Sequence, residues 1–210
     1  MLIVGAKGFA KEILEILHQK GASEQLHFYD DVNNDIPDFL YGKFKILKNL
    51  EEAKAVFENG DRKFTIGIGN PLLRLKLYEK FKKIGGELVS TISAQSVIGS
   101  FDVEIDEGCN VLSGSQISNS VKIGKGCIIY YNSVITHDVE IGDFCEISPS
   151  VNILGRTKIG NFVQIGAGAI IFPDLIIEDH SIIAAGSVVR QNVAANTMVA
   201  GVPAILKKTL

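Results

Sequence analysis

From Ile105 to Val189 every sixth residue is aliphatic and β-branched: Ile105, Val111, Ile117, Ile123, Ile129, Ile135, Ile141, Ile147, Ile153, Ile159, Ile165, Ile171, Ile177, Ile183 and Val189. Two places earlier in each unit sits a mostly small residue, as in Val103, Cys109, Ser115, Val121, Cys127, Ser133, Val139 and Cys145. Residues two apart on a strand share a face. Both columns therefore point into one narrow core. A six-residue period of this kind predicts a parallel β-helix. A longer period lies on top of it. VKIGKGCIIYYNSVITHD, VEIGDFCEISPSVNILGR, TKIGNFVQIGAGAIIFPD and LIIEDHSIIAAGSVVRQN align without a gap, and VEIDEGCNVLSGSQISNS fits the frame before them. The alignment predicts five coils between Val103 and Asn192, with a further coil, slipped by one residue, at Val97-Ile98-Gly99.

The hexapeptide pattern is absent from residues 1–88, which read as strands alternating with helices. Leu2-Ile3-Val4 is a short buried strand and Gly5-Ala6-Lys7-Gly8 a tight turn. Phe9, Ile13, Ile16 and Leu17 recur at helical spacing. Leu26 to Tyr29 is a second strand, ending at Asp30-Asp31, and Phe64 to Ile68 another. Leu50, Ala53 and Phe57 mark a short helix. Asn70 caps a further helix with Pro71 in its first turn and Leu73, Leu77, Phe81 and Ile84 as its apolar face. Alternation of this type predicts a small Rossmann-like parallel α/β domain over 1–88. The β-helix and a tail then occupy 89–210.

Charge and cysteine usage narrow the function. The formal net charge of the 210 residues is −3, with no basic block. Nucleic acid and anionic membrane are therefore not expected partners. The apolar start, Met1 to Val4, is too short for a secretory signal, and a soluble cytoplasmic protein is expected. Cys109, Cys127 and Cys145 are eighteen apart. They should stack one per coil as small buried fillers, free of disulfide and metal.

Two places carry candidate chemistry. The turn Gly5 to Gly8, between a strand and a helix, can present backbone N–H groups to a phosphate. Asp30 follows Gly8 by twenty-two residues, the interval at which an acid takes ribose hydroxyls. The Gly-x-x-Gly turn lacks the full dinucleotide pattern, and a turn glycine beside a solvated Asp pair explains it equally well. The second place is His137, next to Asp138. Its column neighbours Asn119, Gly155 and Pro173 are neither aromatic nor bulky, so packing does not call for an imidazole. An imidazole oriented by a carboxylate is a natural general base. His18 and His27 read as structural, and His180 as stacked on Phe162.

The hexapeptide run, THDVEIGDF, ISPSVNILG and the terminal Gly201-Val202-Pro203-Ala204 resemble the left-handed β-helix acyltransferases. VGAKGFAKEI, the Tyr29-Asp30-Asp31 segment and IGIGNPLLR narrow the resemblance to the sugar O-acyltransferase family. That family includes sialic acid O-acetyltransferases and nucleotide-amino-sugar N-acetyltransferases of the bacillosamine type. The resemblance implies a left-handed helix, a homotrimer, and acetyl-CoA as acyl donor lying between two prisms. It implies His137 as general base and Asp138 as its support. Donor contacts are expected at Glu146, Gly155, Ala167, Ala185, Gly201 and Pro203. The nucleotide of the acceptor is expected at Gly5, Lys7, Gly8, Asp30, Asp31, Gly69 and Asn70. Family members commonly carry a second histidine nine residues after the first; this chain has Glu146 there. A carboxylate accepts hydrogen bonds but donates none unless protonated.

The expected function is acetyl-CoA-dependent N-acetylation of a nucleotide-linked amino sugar without a metal. O-acetylation of sialic acid or another sugar is the rival within the fold. A metal enzyme needs about three protein ligands, and the helix offers only His137 and His180, in different columns. A non-catalytic scaffold would need neither the His-Asp pair nor the nucleotide-type turn. Finally, Ile128, Tyr130, Ile170, Ile176 and Ile182 alternate with core positions and should face outward, as apolar surface for contacts between copies.

Overall fold

The computed structural model describes residues 1–33 and 35–210. Their contacts divide the chain into two compact units, Met1–Thr91 and Ile92–Leu210.

The first unit contains, in order, β1 (Leu2–Val4), α1 (Gly8–Gln19), β2 (His27–Tyr29), β3 (Phe39–Leu40), β4 (Phe44–Leu47), α2 (Leu50–Asn59), β5 (Lys63–Ile66), α3 (Pro71–Lys83) and β6 (Glu87–Leu88). The sheet order is β3-β4-β2-β1-β5-β6, parallel except for the β3–β4 hairpin. The chain runs outward from β1 to β4, then crosses back to lay β5 on the other side of β1. Helix α1 turns Phe9, Ile13, Ile16 and Leu17 inward. It ends at Gly21, whose φ of +68° lets Ala22 N–H reach Leu17 O at 2.8 Å and Gly21 N–H reach His18 O at 2.9 Å. That pair of bonds satisfies the last carbonyls of the helix. Phe57, Phe64 and Phe81 meet in the core, with the Tyr29 ring edge-on to Phe81 at 4.9 Å.

Helix α3 departs from its expected face. Asn70 Oδ1 caps it by accepting Leu73 N–H at 2.9 Å. This start turns Pro71, Arg74 and Phe81 inward, while Leu73 is 41% exposed. Leu77 and Ile84 are only partly buried against the core. The strand expected to reach Ile68 stops at Ile66.

The second unit is a left-handed β-helix of two-residue strands. Three parallel sheets form its faces. The first carries Val134–Ile135, the second Glu140–Ile141 and the third Glu146–Ile147. Partners across each ladder lie eighteen residues apart, as in Ile123 with Ile141 and Ile129 with Ile147. At the N-terminal end Ile98 pairs with Ile117, nineteen apart, so the expected one-residue slip is present. The isoleucine column and its small partner column form one continuous buried core. Each buried Ile or Val contributes roughly 1.5–3 kcal/mol of hydrophobic stabilisation. The three cysteines are free and fully buried. Their Sγ atoms donate to the carbonyls of Gly124, Gly142 and Gly160 at 3.0–3.1 Å. Burial pushes the Cys127 thiol up.

The outward apolar positions are not uniform. Ile176 is 47% exposed, but Ile128 is fully buried within the chain, against expectation. It therefore adds nothing to an exposed stripe. Phe144, Phe162 and His180 stack in successive coils, with centroids 5.8 and 4.9 Å apart and rings within 6° of parallel. The helix closes with an antiparallel hairpin, Thr197–Gly201 with Ala204–Thr209, around a cis Val202–Pro203 bond.

Candidate active site

His137 lies at the corner where the first face turns into the second. Asp138 follows it with a φ of +58°. This left-handed turn swings the carboxylate back, so that Asp138 Oδ2 lies 2.6 Å from His137 Nδ1. Both side chains are about half exposed. A neutral imidazole that donates Nδ1–H to Asp138 keeps its lone pair on Nε2. The ring lies over Gly155 of the next coil. A Cβ on Gly155 would stand 2.5 Å from His137 Cε1 and 2.7 Å from Nε2, so the ring occupies the space of that side chain. Gly155 is buried, and its N–H makes no hydrogen bond among the described residues. A basic nitrogen and an unspent N–H donor thus meet at one corner.

The turns around the corner are tied together. Arg156 N–H donates to His137 O at 3.1 Å, and Thr136 Oγ1 donates to Ile153 O at 3.2 Å. Arg156 grips Asp174 through Nε and Nη2 at 2.6 and 2.8 Å. These bonds, reinforced by the charge of Arg156, hold the Asp174 carboxyl below the usual carboxylate range.

The other expected donor contacts do not join this corner within one chain. Glu146 is on the third face, across the helix from His137, in register with Ile128 and Gln164. Ala167 and Ala185 sit at the corner between third and first faces, where Gly186 N–H donates to Ala167 O at 2.9 Å. Gly201 lies close by, its N–H on Ser187 Oγ at 3.2 Å, and Pro203 follows in the hairpin turn. The expected donor contacts therefore split between two corners and a face.

Sequence reasoning missed a groove of about 1050 Å³ along the second face. Its floor alternates Glu104, Lys122, Glu140 and Lys158, which pair as Lys122–Glu104 at 3.2 Å and Lys158–Glu140 at 3.3 Å. Neither His137 nor Asp138 lines it; the floor charges pair off, while Asp106, Asp143, Glu178 and Asp179 leave the lining acidic. The alternation at eighteen-residue spacing was its only sequence signal.

In the first unit, all the expected nucleotide contacts fall at the C-terminal ends of β1, β2 and β5. The order of strands reverses between β1 and β5, and such a switch point is where open α/β sheets bind ligands. Gly5, at φ +113°, makes the turn out of β1 and donates to Tyr29 O at 2.8 Å. Helix α1 then starts at Gly8 with no side-chain cap and no acid in its first turn. The positive end of a helix dipole lies at such a start and favours an anion. Lys7 Nζ donates to Asn33 Oδ1 at 2.5 Å. Gly69 and Asn70 form the facing loop.

The two aspartates already have protein partners. Asp30, 8% exposed, accepts from Val32 N–H, Asn33 N–H and Asn33 Nδ2 at 2.8–3.2 Å. It builds the turn after β2. Asp31 takes Lys80 Nζ and Tyr29 OH, each at 2.7 Å. Burial opposes its ionisation, but those two hydrogen bonds keep its carboxyl below the ordinary range. Arg74, 1% exposed, donates to Gly69 O and supports the facing loop from beneath. Apolar periodicity gave no hint of a buried arginine. Among the described residues no three His, Cys, Asp or Glu side chains gather as a metal site, and no helix is long and apolar enough to cross a membrane.

Comparison with known proteins agrees with both units. Residues 1–81 match the PglD N-terminal domain family. Residues 120–155 and 156–191 match the bacterial transferase hexapeptide family. Perosamine N-acetyltransferase from Caulobacter crescentus, a histidine-to-asparagine variant solved with CoA and GDP-perosamine, superposes with a TM-score of 0.90 at 28% identity, over 99% of this chain and 96% of that one. WeeI from Acinetobacter baumannii AYE superposes with a TM-score of 0.82 at 29% identity, over 98% of each chain. The acetyltransferase domain of PglB from Neisseria gonorrhoeae FA1090, solved with acetyl coenzyme A, shares the fold at 23% identity, with a TM-score of 0.87 over 98% of both chains. No curated protein sequence gives a significant match. The resemblance to left-handed β-helix sugar acyltransferases, including those of the bacillosamine type, holds in both units.

Proposed function

We propose that this hexapeptide acyltransferase moves the acetyl group of acetyl-CoA onto the amino group of a nucleotide-linked amino sugar. The observation that carries the reading is the His137–Asp138 pair, 2.6 Å apart, with the imidazole lying over Gly155. Asp138 holds the proton on Nδ1, which makes Nε2 the base. His137 Nε2 accepts the proton that the acceptor amine loses as its nitrogen bonds the acetyl carbon. The C–S bond breaks in the same transfer, and the thiolate leaves with a proton returned through the imidazole. The unspent N–H of Gly155 suits the charge that develops on the thioester oxygen, because a preorganised backbone donor needs no rearrangement. Acetyl-CoA supplies an activated acyl group. The residues present fit it: a base and a free donor share one corner, with room kept by the glycine.

The nucleotide of the acceptor binds at the switch point of the first unit. Gly5, Gly8 and the N-terminus of α1 take phosphate, with Lys7 beside them. Asp31, Gly69 and Asn70 form the rim, and Asp30 acts through the turn it holds. The Caulobacter enzyme, solved with CoA and a GDP-linked amino sugar, supports this class of acceptor.

We infer a homotrimer, which would bring the split donor contacts together. In a homotrimer, the His137–Gly155 corner of one chain faces Glu146, Ala167, Ala185, Gly201 and Pro203 of its neighbour. The acyl donor then lies between chains, with Glu146 accepting hydrogen bonds from its amide groups. A thiol-release assay with acetyl-CoA and a panel of UDP-, GDP-, dTDP- and CMP-linked amino sugars, with hydroxyl analogues alongside, tests the function. Turnover is expected with a nucleotide-linked amine. Turnover with free sialic acid alone, or none with any sugar, contradicts it.

A further inference from the structure

The turn that carries His137 belongs to a stack of turns built alike. Asp138, Arg156 and Asp174 occupy the same place in successive coils, eighteen residues apart. All three have left-handed backbones, with φ of +58°, +61° and +63°. Each N–H bonds the carbonyl one coil back: Asp138 to Asn119, Arg156 to His137 and Asp174 to Gly155. Equal backbones in equal register send the three side chains out of the stack in the same direction, about 4.8 Å apart. Arg156 therefore has a carboxylate on each side at matching register. It makes a two-pronged pair with Asp174, the geometry that a guanidinium prefers. Asp138 turns instead to His137 Nδ1.

We propose that Asp174 is a positioning residue for the base: by holding the Arg156 guanidinium on its own side, it leaves the Asp138 carboxylate to His137. This deepens the reading of His137 as the base and rests on it. The remaining neighbours do not compete for Asp138. Asn119 and Ser120, one coil back, carry no charge. Asp102, two coils back in the column of Asp138, repels it. Glu140 on the following strand is occupied by Lys158 at 3.3 Å. Once the Asp174 charge is gone, Asp138 is the nearest carboxylate left in register for Arg156. A carboxylate shared with a guanidinium holds the imidazole N–H less firmly. The Nδ1–H form then gives way to the Nε2–H form, which has no lone pair where the acceptor proton must go.

Two readouts test this, one independent of catalysis. Histidine side-chain ¹H–¹⁵N spectra of the full-length protein, with the signal assigned by loss in His137→Gln, report which ring nitrogen carries the proton. The native protein is expected to hold Nδ1–H. In Asp174→Asn the population should shift toward Nε2–H, and kcat should fall about 2- to 5-fold, since these groups are half exposed and screened, with little change in KM. Adding Arg156→Gln removes the competitor, and the double variant should regain the native form and most of the rate. A merely structural pair predicts the reverse, a double variant no better than the single. An unchanged tautomer in Asp174→Asn, or no recovery in the double variant, overturns the proposal. A changed tautomer with an unchanged rate leaves the positioning role standing and removes His137 from the proton transfer.

Discussion

The two units bury and display their polar groups by different rules. In the β-helix every device repeats at eighteen residues: the isoleucine ladder, the cysteine thiols on glycine carbonyls, the stacked rings of Phe144, Phe162 and His180. A residue that breaks its column is therefore conspicuous, and His137 between Asn119 and Gly155 is such a break. In the α/β unit nothing repeats. Its candidate site is assembled from strand ends far apart in sequence, and much of its polar equipment is used internally. Asp30 organises a turn and Asp31 is tied to Lys80 and Tyr29. A periodic scaffold advertises its exceptions, whereas an irregular one hides which acids are free.

The sharpest way to break this comparison is at Gly155. Any side chain there meets the imidazole at 2.5–2.7 Å. Gly155→Ala should reduce kcat by about 10²-fold, the scale of a misplacement of about 1 Å, with a stability cost of about 1–3 kcal/mol from overpacking. Near-native kinetics would mean that the ring does not depend on that space. Core truncations come next, and they should act locally. Phe81→Ala removes the centre of the α/β aromatic cluster and should cost about 3–5 kcal/mol. Ile147→Ala, in a single coil, should cost about 2–5 kcal/mol. Hydrogen exchange should place the first loss in residues 1–91 and the second in residues 92–210; a uniform loss in both would argue against separable units.

A smaller effect is expected at Arg74. Replacing it with Met removes the donor to Gly69 O while filling most of its volume. KM for the nucleotide-linked sugar should rise roughly 10-fold, about 1.4 kcal/mol and in the range for a hydrogen bond to a charged group, with KM for acetyl-CoA unchanged. An equal rise in both would assign Arg74 to general stability. The smallest effect concerns pH. Asp31 titrates below its ordinary range when folded. Its contribution is therefore present above the unfolded carboxylate pKa and is lost as pH falls through the lower folded value. The pair is about one-third exposed and so partly screened, and the loss should stay below about 1 kcal/mol. Acid titration of native protein and Lys80→Met should differ by that small step; identical curves would show that the pair contributes nothing.

The same contrast explains what could be read from the residues. The β-helix register, the slip near Ile98 and the stacking of His180 on Phe162 follow from counting, because one position dictates its neighbour eighteen on. The departures occur where tertiary contacts choose. Helix α3 buries Arg74 and leaves Leu73 outside, since the Asn70 cap and Pro71 set its rotation. The β3–β4 hairpin went unseen because Phe39–Leu40 and Phe44–Leu47 are too short for a period to register. Ile128 alternates with the core yet is fully covered, which alternation alone does not reveal. At the candidate site, the His137–Asp138 pairing was legible as a motif. The part played by Gly155 as the floor beneath the ring, and by Arg156 and Asp174 beside it, needed three dimensions.

The central claim is that His137 Nε2 takes the proton from the acceptor amine. The most direct test measures acetyl transfer to the nucleotide-linked amine and acetyl-CoA binding in the same preparation of His137→Ala. The account predicts a fall in kcat of roughly 10²–10⁴-fold, the usual contribution of a general base, with donor affinity near the native value. Turnover close to that of the native protein would contradict it.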